Sequence, residues 1–115
     1  MVEKRISIRY ASSAKVQINS YTESIVLMID ISPYGCCISY PGKNLMSGFT
    51  LEVDHEYILR VFPEPDTRMG EFEMVIKPCW IRNKNDMQVA GCCITQFPAG
   101  KEKFSAYLAG QTKAI

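Results

Sequence analysis

Short apolar or alternating runs, separated by turn-forming residues, are the feature that most limits how this chain can fold. Six such runs occupy residues 15–19, 24–31, 35–40, 56–62, 72–82 and 87–95. Runs of this length between clusters of Pro, Gly, Asn and Asp are typical of β-strands. After Pro98 the period changes, because Phe104, Tyr107 and Leu108 stand at i, i+3 and i+4. That spacing predicts one short helix with a single apolar stripe.

Six strands followed by one helix predict a mainly β fold. We expect a small six-stranded antiparallel β-barrel with one short C-terminal α-helix, because closure of a sheet removes its exposed edges. With 115 residues, of which 47% are hydrophobic, the chain is expected to form one domain over residues 1–115. Within it we predict an N-terminal arm at 1–9, the barrel at 14–95 and the helix at 99–111.

The charge balance gives the chain no strong electrostatic field that would attract it to a polyanion. Thirteen basic and twelve acidic residues leave a net charge of +1, so neither a nucleic acid polymer nor a membrane surface is an expected partner. No apolar run approaches the roughly 20 residues of a membrane span. The first residues lead into no signal-peptide hydrophobic stretch. We therefore predict a cytoplasmic protein without membrane insertion.

The five cysteines are predicted to be small buried residues in a reducing compartment. Four of them form the adjacent pairs Cys36-Cys37 and Cys92-Cys93, and Cys79 stands apart. Neighbours in a strand point to opposite faces, so neither adjacent pair can aim both sulfurs at one ion or partner. The sequence has no C-x-x-C and one histidine, and we expect no metal. A structural disulfide or a metal site is the alternative.

The stretch MIDISPYGCC, residues 28–37, places polar residues inside an apolar run. Ser32-Pro33-Tyr34-Gly35 matches a type I turn followed by a left-handed glycine, which predicts a hairpin. Asp30 and Ser32 lie two residues apart in an extended segment, so both project from one face. They would present a carboxylate beside a hydroxyl. Bonding to the backbone amides of the turn is the alternative role for both side chains.

The N-terminal stretch EKRISIR, residues 3–9, also alternates and is predicted to be extended. Ile6 and Ile8 would face the barrel, and Arg5 and Arg9 would face outward. At ~3.3 Å per residue, the Cα atoms of the two arginines lie roughly 13 Å apart. Two guanidinium forks at that spacing suit opposite sides of a ligand about the size of a dinucleotide. The alternative is a solvated basic N-terminus.

Together, the R-x-x-x-R of Arg5 and Arg9 and the D-x-S-x-x-G of Asp30, Ser32 and Gly35 resemble the PilZ domain family, the bacterial receptors for cyclic di-GMP. Both motifs occur without substitution and in the order of the family. Further positions in this sequence agree with the family pattern: Lys4 before the first arginine, and Trp80, Gly91 and Phe97 in the late strands.

The resemblance implies a cyclic di-GMP site. Arg5 and Arg9 would bind phosphate or the guanine O6/N7 edge, with Lys4 as an additional charge. Asp30 would accept hydrogen bonds from guanine N1–H and N2–H₂, beside a bond from Ser32. Gly35 would let the turn backbone approach the ligand.

The lone tryptophan, Trp80, has two interpretations. It would stack on a guanine, with a core position as the alternative.

We therefore predict a non-enzymatic receptor that binds cyclic di-GMP, needs no cofactor and signals to an effector protein in trans. The sequence shows no nucleophile–base pair, metal set or phosphate-binding glycine loop. One alternative is a PilZ-fold protein-interaction module that does not depend on nucleotide. Another is a barrel that binds single-stranded nucleic acid, which the net charge fits poorly.

Overall fold

The computed structural model describes residues 8–19, 21–41 and 51–111. These residues form six strands, one short 3₁₀ helix and one α-helix. In chain order the elements are β1 (Tyr10–Ile18), β2 (Tyr21–Ile31), β3 (Gly35–Pro41), β4 (Tyr57–Phe62), the 3₁₀ helix (Pro65–Thr67), β5 (Phe72–Lys84), β6 (Met87–Ala99) and α1 (Lys101–Ala109).

The six strands form a closed barrel in the order β1-β2-β3-β6-β5-β4. Every neighbouring pair is antiparallel, and β1 closes the barrel by pairing with β4 from Lys15↔Phe62 to Ile18↔Leu59. The predicted fold, a mainly β six-stranded antiparallel barrel with one short C-terminal helix, is confirmed.

Alternation of apolar and polar residues determines which side chains enter the barrel. In β4, Tyr57, Leu59 and Val61 are buried while Ile58 and Arg60 are exposed. This is the period of two expected of a strand with one face on the core. Each strand contributes fully or largely buried side chains to a single cluster, among them Val16, Met28, Ile38, Leu59, Ile76 and Ala90.

The strands extend beyond the predicted barrel limits of 14–95, and the helix is shorter than the predicted 99–111. β1 begins at Tyr10, and β6 continues to Ala99, where it pairs with Glu73. Gly100 then adopts φ 79°, a left-handed conformation that glycine reaches without steric cost. The helix therefore begins at Lys101. The ladder of β6 thus includes Ala99, which was predicted to be the first residue of the helix.

The helix packs on one end of the barrel through its predicted apolar stripe. Phe104 and Tyr107 are buried, and each ring lies 5.8 Å from that of Phe72. Phe97, near the end of β6, lies 4.5 Å from Phe104. Leu108 packs partly buried against the same cluster.

The prediction that all five cysteines are buried is wrong for two of them. Cys36, Cys37 and Cys92 are buried, but Cys79 and Cys93 are exposed. Cys93 follows the inward-facing Cys92 and so points outward. Cys79 is the unpaired residue of a β-bulge, since Pro78 pairs with Cys92 and Trp80 with Gly91. Alternation read from the sequence could not anticipate this bulge.

Within residues 8–19, 21–41 and 51–111, no helix is long and apolar enough to cross a membrane. In the same ranges, no three His, Cys, Asp or Glu side chains are grouped as metal ligands would be.

Candidate functional site

An ion pair joins the start of β1 to the end of β2. The guanidinium of Arg9 donates to both carboxylate oxygens of Asp30, with Nη2 at 2.9 Å from Oδ1 and 2.7 Å from Oδ2, and Nε at 3.3 Å from Oδ1. The strand register brings them together, because Ala11 pairs with Asp30 and Tyr10 with Ile31. Asp30 is 8% exposed. Two residues from different predicted motifs therefore share one site.

The hydroxyl of Ser32 belongs to the β2–β3 turn. Its Oγ accepts from the amides of Tyr34 and Gly35 at 3.3 and 3.2 Å, and donates to the Gly35 carbonyl at 3.3 Å. The Ser32 amide donates to the same carbonyl at 2.9 Å. This is the alternative role foreseen for a serine at this position. Ser32 follows Asp30 by two residues in the chain and is 7% exposed.

Gly35 is required by close packing and not by a left-handed backbone. It is the first residue of β3, and among the described glycines only Gly100 has a positive φ. The predicted left-handed glycine is therefore wrong. A Cβ at residue 35 would lie 2.6 Å from the carbonyl oxygen of Cys92. The neighbouring strand thus leaves no space for a side chain there.

A lateral row across the outer wall of the barrel connects Asp30 to Trp80. Asp30 pairs with Cys37, Cys37 with Gly91, and Gly91 with Trp80. Directly opposed residues in antiparallel strands project from the same face, and the alternate positions, such as Cys36, lie in the core cluster. Three strand spacings separate Asp30 from Trp80, which is about 14 Å between backbones.

Trp80 lies at the other end of this row and is half-buried, outside the core cluster. Its indole covers Gly91, where a Cβ would overlap the ring. The guanidinium carbon of Arg82 lies 4.7 Å from the ring centroid, within the range of a cation–π contact. The sequence motifs did not indicate Arg82 as a site residue. Its spacing of two from Trp80 in a strand is the signal that would have placed both on one face.

Cys37, in the middle of the row, was also missed as part of this surface. Its pKa is raised to about 11, first by burial and then by the negative charge of Asp30, while Arg9 acts in the opposite direction. The charges of both members of the ion pair thus act on the pKa of this thiol, which stays protonated and uncharged near neutral pH.

The two remaining predicted ligand residues, Lys4 and Arg5, lie outside the described residues, as does Ile6. Of the arm predicted at 1–9, only Ile8 and Arg9 are described. Ile8 is 55% exposed, so the expectation that its side chain faces the barrel is wrong. The ladder of β1 begins only at Tyr10.

Comparison with known proteins supports the fold. No protein-family model matches the chain, and no curated protein matches it significantly. A solved structure from Bacillus subtilis, described as an inhibitor of motility (MotI/DgrA), superposes with a TM-score of 0.70 at 18% sequence identity. The match covers 94% of this chain and 49% of that one, so this chain spans about half the length of its structural neighbour. At this identity the similarity concerns the fold alone.

Proposed function

We propose that this protein is a non-enzymatic receptor for cyclic di-GMP, which it binds at the outer wall between Arg9, the β2–β3 hairpin and Trp80. The observation that carries the proposal is the Arg9–Asp30 pair, in which a forked N–H donor bonds both oxygens of a largely buried carboxylate. The PilZ resemblance of the two motifs and the likeness of the fold to the motility inhibitor support it.

Asp30 is the group suited to select guanine. The N1–H and N2–H₂ of guanine form a two-donor edge, similar in geometry to the guanidinium fork that the carboxylate already accepts. Adenine lacks this pair of donors. In the free protein Arg9 therefore satisfies Asp30, and binding would exchange one donor fork for another. The exchange leaves no buried carboxylate unpaired at either stage, which limits its energetic cost.

Arg9, once displaced from Asp30, would turn to the ligand. Its fork can bond a phosphate or the O6/N7 edge of a guanine bidentately. Arg5 and Lys4 would add charge against the two phosphates. The chain as a whole is nearly neutral, so the attraction would have to come from these few residues and be sensitive to salt.

The hairpin and Trp80 would complete the site. Ser32 can redirect its hydroxyl proton to the ligand, because the Gly35 carbonyl keeps the Ser32 amide as a donor. Trp80 already holds the Arg82 guanidinium over its ring, and a guanine base could take that position. With the arm over this wall in the complex, the surface presented to an effector protein would change, and the receptor would act through that protein in trans.

Isothermal titration calorimetry with cyclic di-GMP tests the proposal. We expect micromolar or tighter binding by the native chain. Asp30→Ala and Arg5→Ala should each weaken it about tenfold or more, as loss of a bidentate guanine contact does. The matched control is Arg60→Ala, an exposed arginine of β4 paired with Glu73, which should leave the affinity unchanged.

Two results would overturn the proposal: no binding by the native chain in the micromolar range, or the same affinity in Asp30→Ala and the native chain. Partner capture that is indifferent to nucleotide would then favour the protein-interaction module. Cyclic di-AMP serves as the ligand control, because it offers Asp30 no equivalent edge.

A further inference from the structure

Two exposed thiols meet on the outer wall of the barrel, next to the hairpin. The sulfurs of Cys79 in β5 and Cys93 in β6 lie 2.8 Å apart. Both side chains are exposed, whereas those of Cys36, Cys37 and Cys92 are buried. A disulfide bond is about 2.05 Å long, so the two sulfurs need to approach by less than 1 Å to bond.

The β-bulge produces this approach. Cys93 pairs with Lys77, which makes Cys79 its diagonal neighbour along β5. As the unpaired residue between Pro78 and Trp80, Cys79 is free of the ladder, and its thiol points back over the carbonyl of Lys77 at 3.7 Å. In a regular strand, the side chains of residues 77 and 79 would project from the same face, separated by one full repeat of the pleat. The bulge re-aims the second side chain at the neighbouring strand.

We infer that Cys79 and Cys93 form a reversible dithiol–disulfide site, oxidised by thiol–disulfide exchange with a low-molecular-weight disulfide such as oxidised glutathione. The thiolate of one cysteine attacks the small disulfide, forms a mixed disulfide and releases one small thiol. The second cysteine then attacks the mixed disulfide, closes the Cys79–Cys93 bond and releases the second thiol. The protein loses two electrons and two protons, and the small disulfide takes them up as two thiols.

Cys79 and Cys93 lie beside the hairpin and Trp80, so their redox state would affect the wall to which we assign the ligand. Cys93 pairs with Gly35 at the start of β3, and Cys79 immediately precedes Trp80. Closing the bond would fix the bulge to β6 and hold the backbone on which the indole stands. Exposed disulfides are the ones that small thiols reduce readily, so the site would respond to changes in the thiol pool. Oxidation itself needs no nucleotide.

The interior pair Cys36 and Cys92 is an internal control. These residues also face each other across two strands, but they are 3% and 6% exposed. A small disulfide reaches the outer pair and not the inner one. Comparison of the two pairs therefore tests whether oxidation needs access for the small disulfide as well as two neighbouring sulfurs.

Tryptic peptide mapping separates the two pairs. Cys79 falls in peptide 69–82, because cleavage does not occur between Lys77 and Pro78. Cys92 and Cys93 fall in 85–101, and Cys36 and Cys37 in 16–43. After exposure of the reduced full chain to excess oxidised glutathione, we expect 69–82 linked to 85–101 and two fewer free thiols. Dithiothreitol should restore them.

Single variants complete the test. Cys79→Ser and Cys93→Ser should each form no internal bond and instead retain one glutathione. Cys92→Ser should still give the link between 69–82 and 85–101. The inference fails if the native chain keeps all its thiols, if glutathione remains on it as it does on the single variants, or if the link joins 16–43 to 85–101.

Discussion

The indole of Trp80 occupies the space that a side chain at residue 91 would need. The hypothetical Cβ of residue 91 would overlap the ring atoms Cε2, Nε1 and Cζ2. Gly91 has no positive φ. A glycine is therefore needed here to leave space for the indole, and not to allow a left-handed backbone conformation. One small residue thus lets a large aromatic side chain lie flat against the barrel wall.

Gly91→Ala is therefore predicted to displace Trp80. Overpacking of this kind costs about 1–3 kcal/mol, and we expect the free energy of unfolding in urea to fall by that amount. The tryptophan is the only one in the chain, so its fluorescence should shift to the red as the ring becomes more exposed.

Gly70→Ala is the matched control. A Cβ there meets the end of the Lys103 side chain at 3.2–3.3 Å, and an exposed lysine can move aside. Stability should stay within about 0.5 kcal/mol of the native value, with unchanged fluorescence. Equal losses in the two variants would contradict the assignment of the effect to the indole.

The fold could be predicted from the sequence because one periodicity dominates each segment. In β4, strict alternation through Tyr57, Leu59 and Val61 admits one inward face, and turn residues separate it from its neighbours. The end of β6 was harder, since Phe97 and Phe104 belong to one aromatic cluster but to different elements. Only the position of Gly100 settles where the strand stops.

The site was only partly predictable, for a physical reason. The motifs selected Arg9 and Asp30 separately, but their contact depends on how β1 is registered against β2, with a bulge between Ala11 and Ala14. Bulges add one residue and invert every face that follows. The same limitation concealed the exposed thiol of Cys79, although Pro78 inside β5, just before the bulged residue, is a residue typical of β-bulges.

The Arg9–Asp30 pair is predicted to stabilise the free protein. A charge-assisted pair that is largely shielded from water contributes about 1–3 kcal/mol, and the two side chains are 27% and 12% exposed. A double-mutant cycle with Arg9→Ala and Asp30→Ala, measured by urea unfolding without ligand, should give a coupling energy of about 1–2 kcal/mol.

The surface pair Arg60–Glu73 provides the reference cycle, because its side chains are 46% and 23% exposed. Its coupling should be clearly smaller than that of Arg9–Asp30, because water and salt screen charges at the surface. If the Arg9–Asp30 coupling is no larger than this, the pair does not hold the start of β1 against the end of β2 as the geometry indicates.

Ser32→Ala is predicted to weaken the hairpin even without ligand. The substitution removes the acceptor for the amides of Tyr34 and Gly35, at a cost of about 1 kcal/mol. Hydrogen exchange of those two amides should accelerate together. Ser39→Ala, a half-buried position of β3 outside the turn, should leave their exchange unchanged. Protection that survives Ser32→Ala would show that the turn holds without the hydroxyl.

Glu64, a carboxylate far from the hairpin, is predicted to make the stability of the protein depend on pH. Glu64 accepts from the Ser13 amide and hydroxyl at 2.9 and 3.0 Å, and from the Tyr107 hydroxyl at 2.8 Å. It thereby ties the start of the barrel to α1. Burial alone would raise its pKa, but the hydrogen bonds outweigh burial and lower the pKa below the ordinary value.

A carboxyl whose pKa is lower in the folded state stabilises the protein above its unfolded pKa of about 4.3, and this contribution is lost as the pH falls through the folded value. At pH 7, Glu64→Gln should therefore be less stable than the native chain by about 1 kcal/mol, allowing for its partial exposure. The difference should shrink steadily in urea titrations below about pH 4, because the protonated glutamic acid resembles glutamine.

Glu71→Gln, which alters an exposed carboxylate 3.9 Å from Arg60, should show little difference at either pH. A Glu64→Gln deficit that stays constant across this range would mean that the charge of Glu64 does not stabilise the contact between the barrel and the helix.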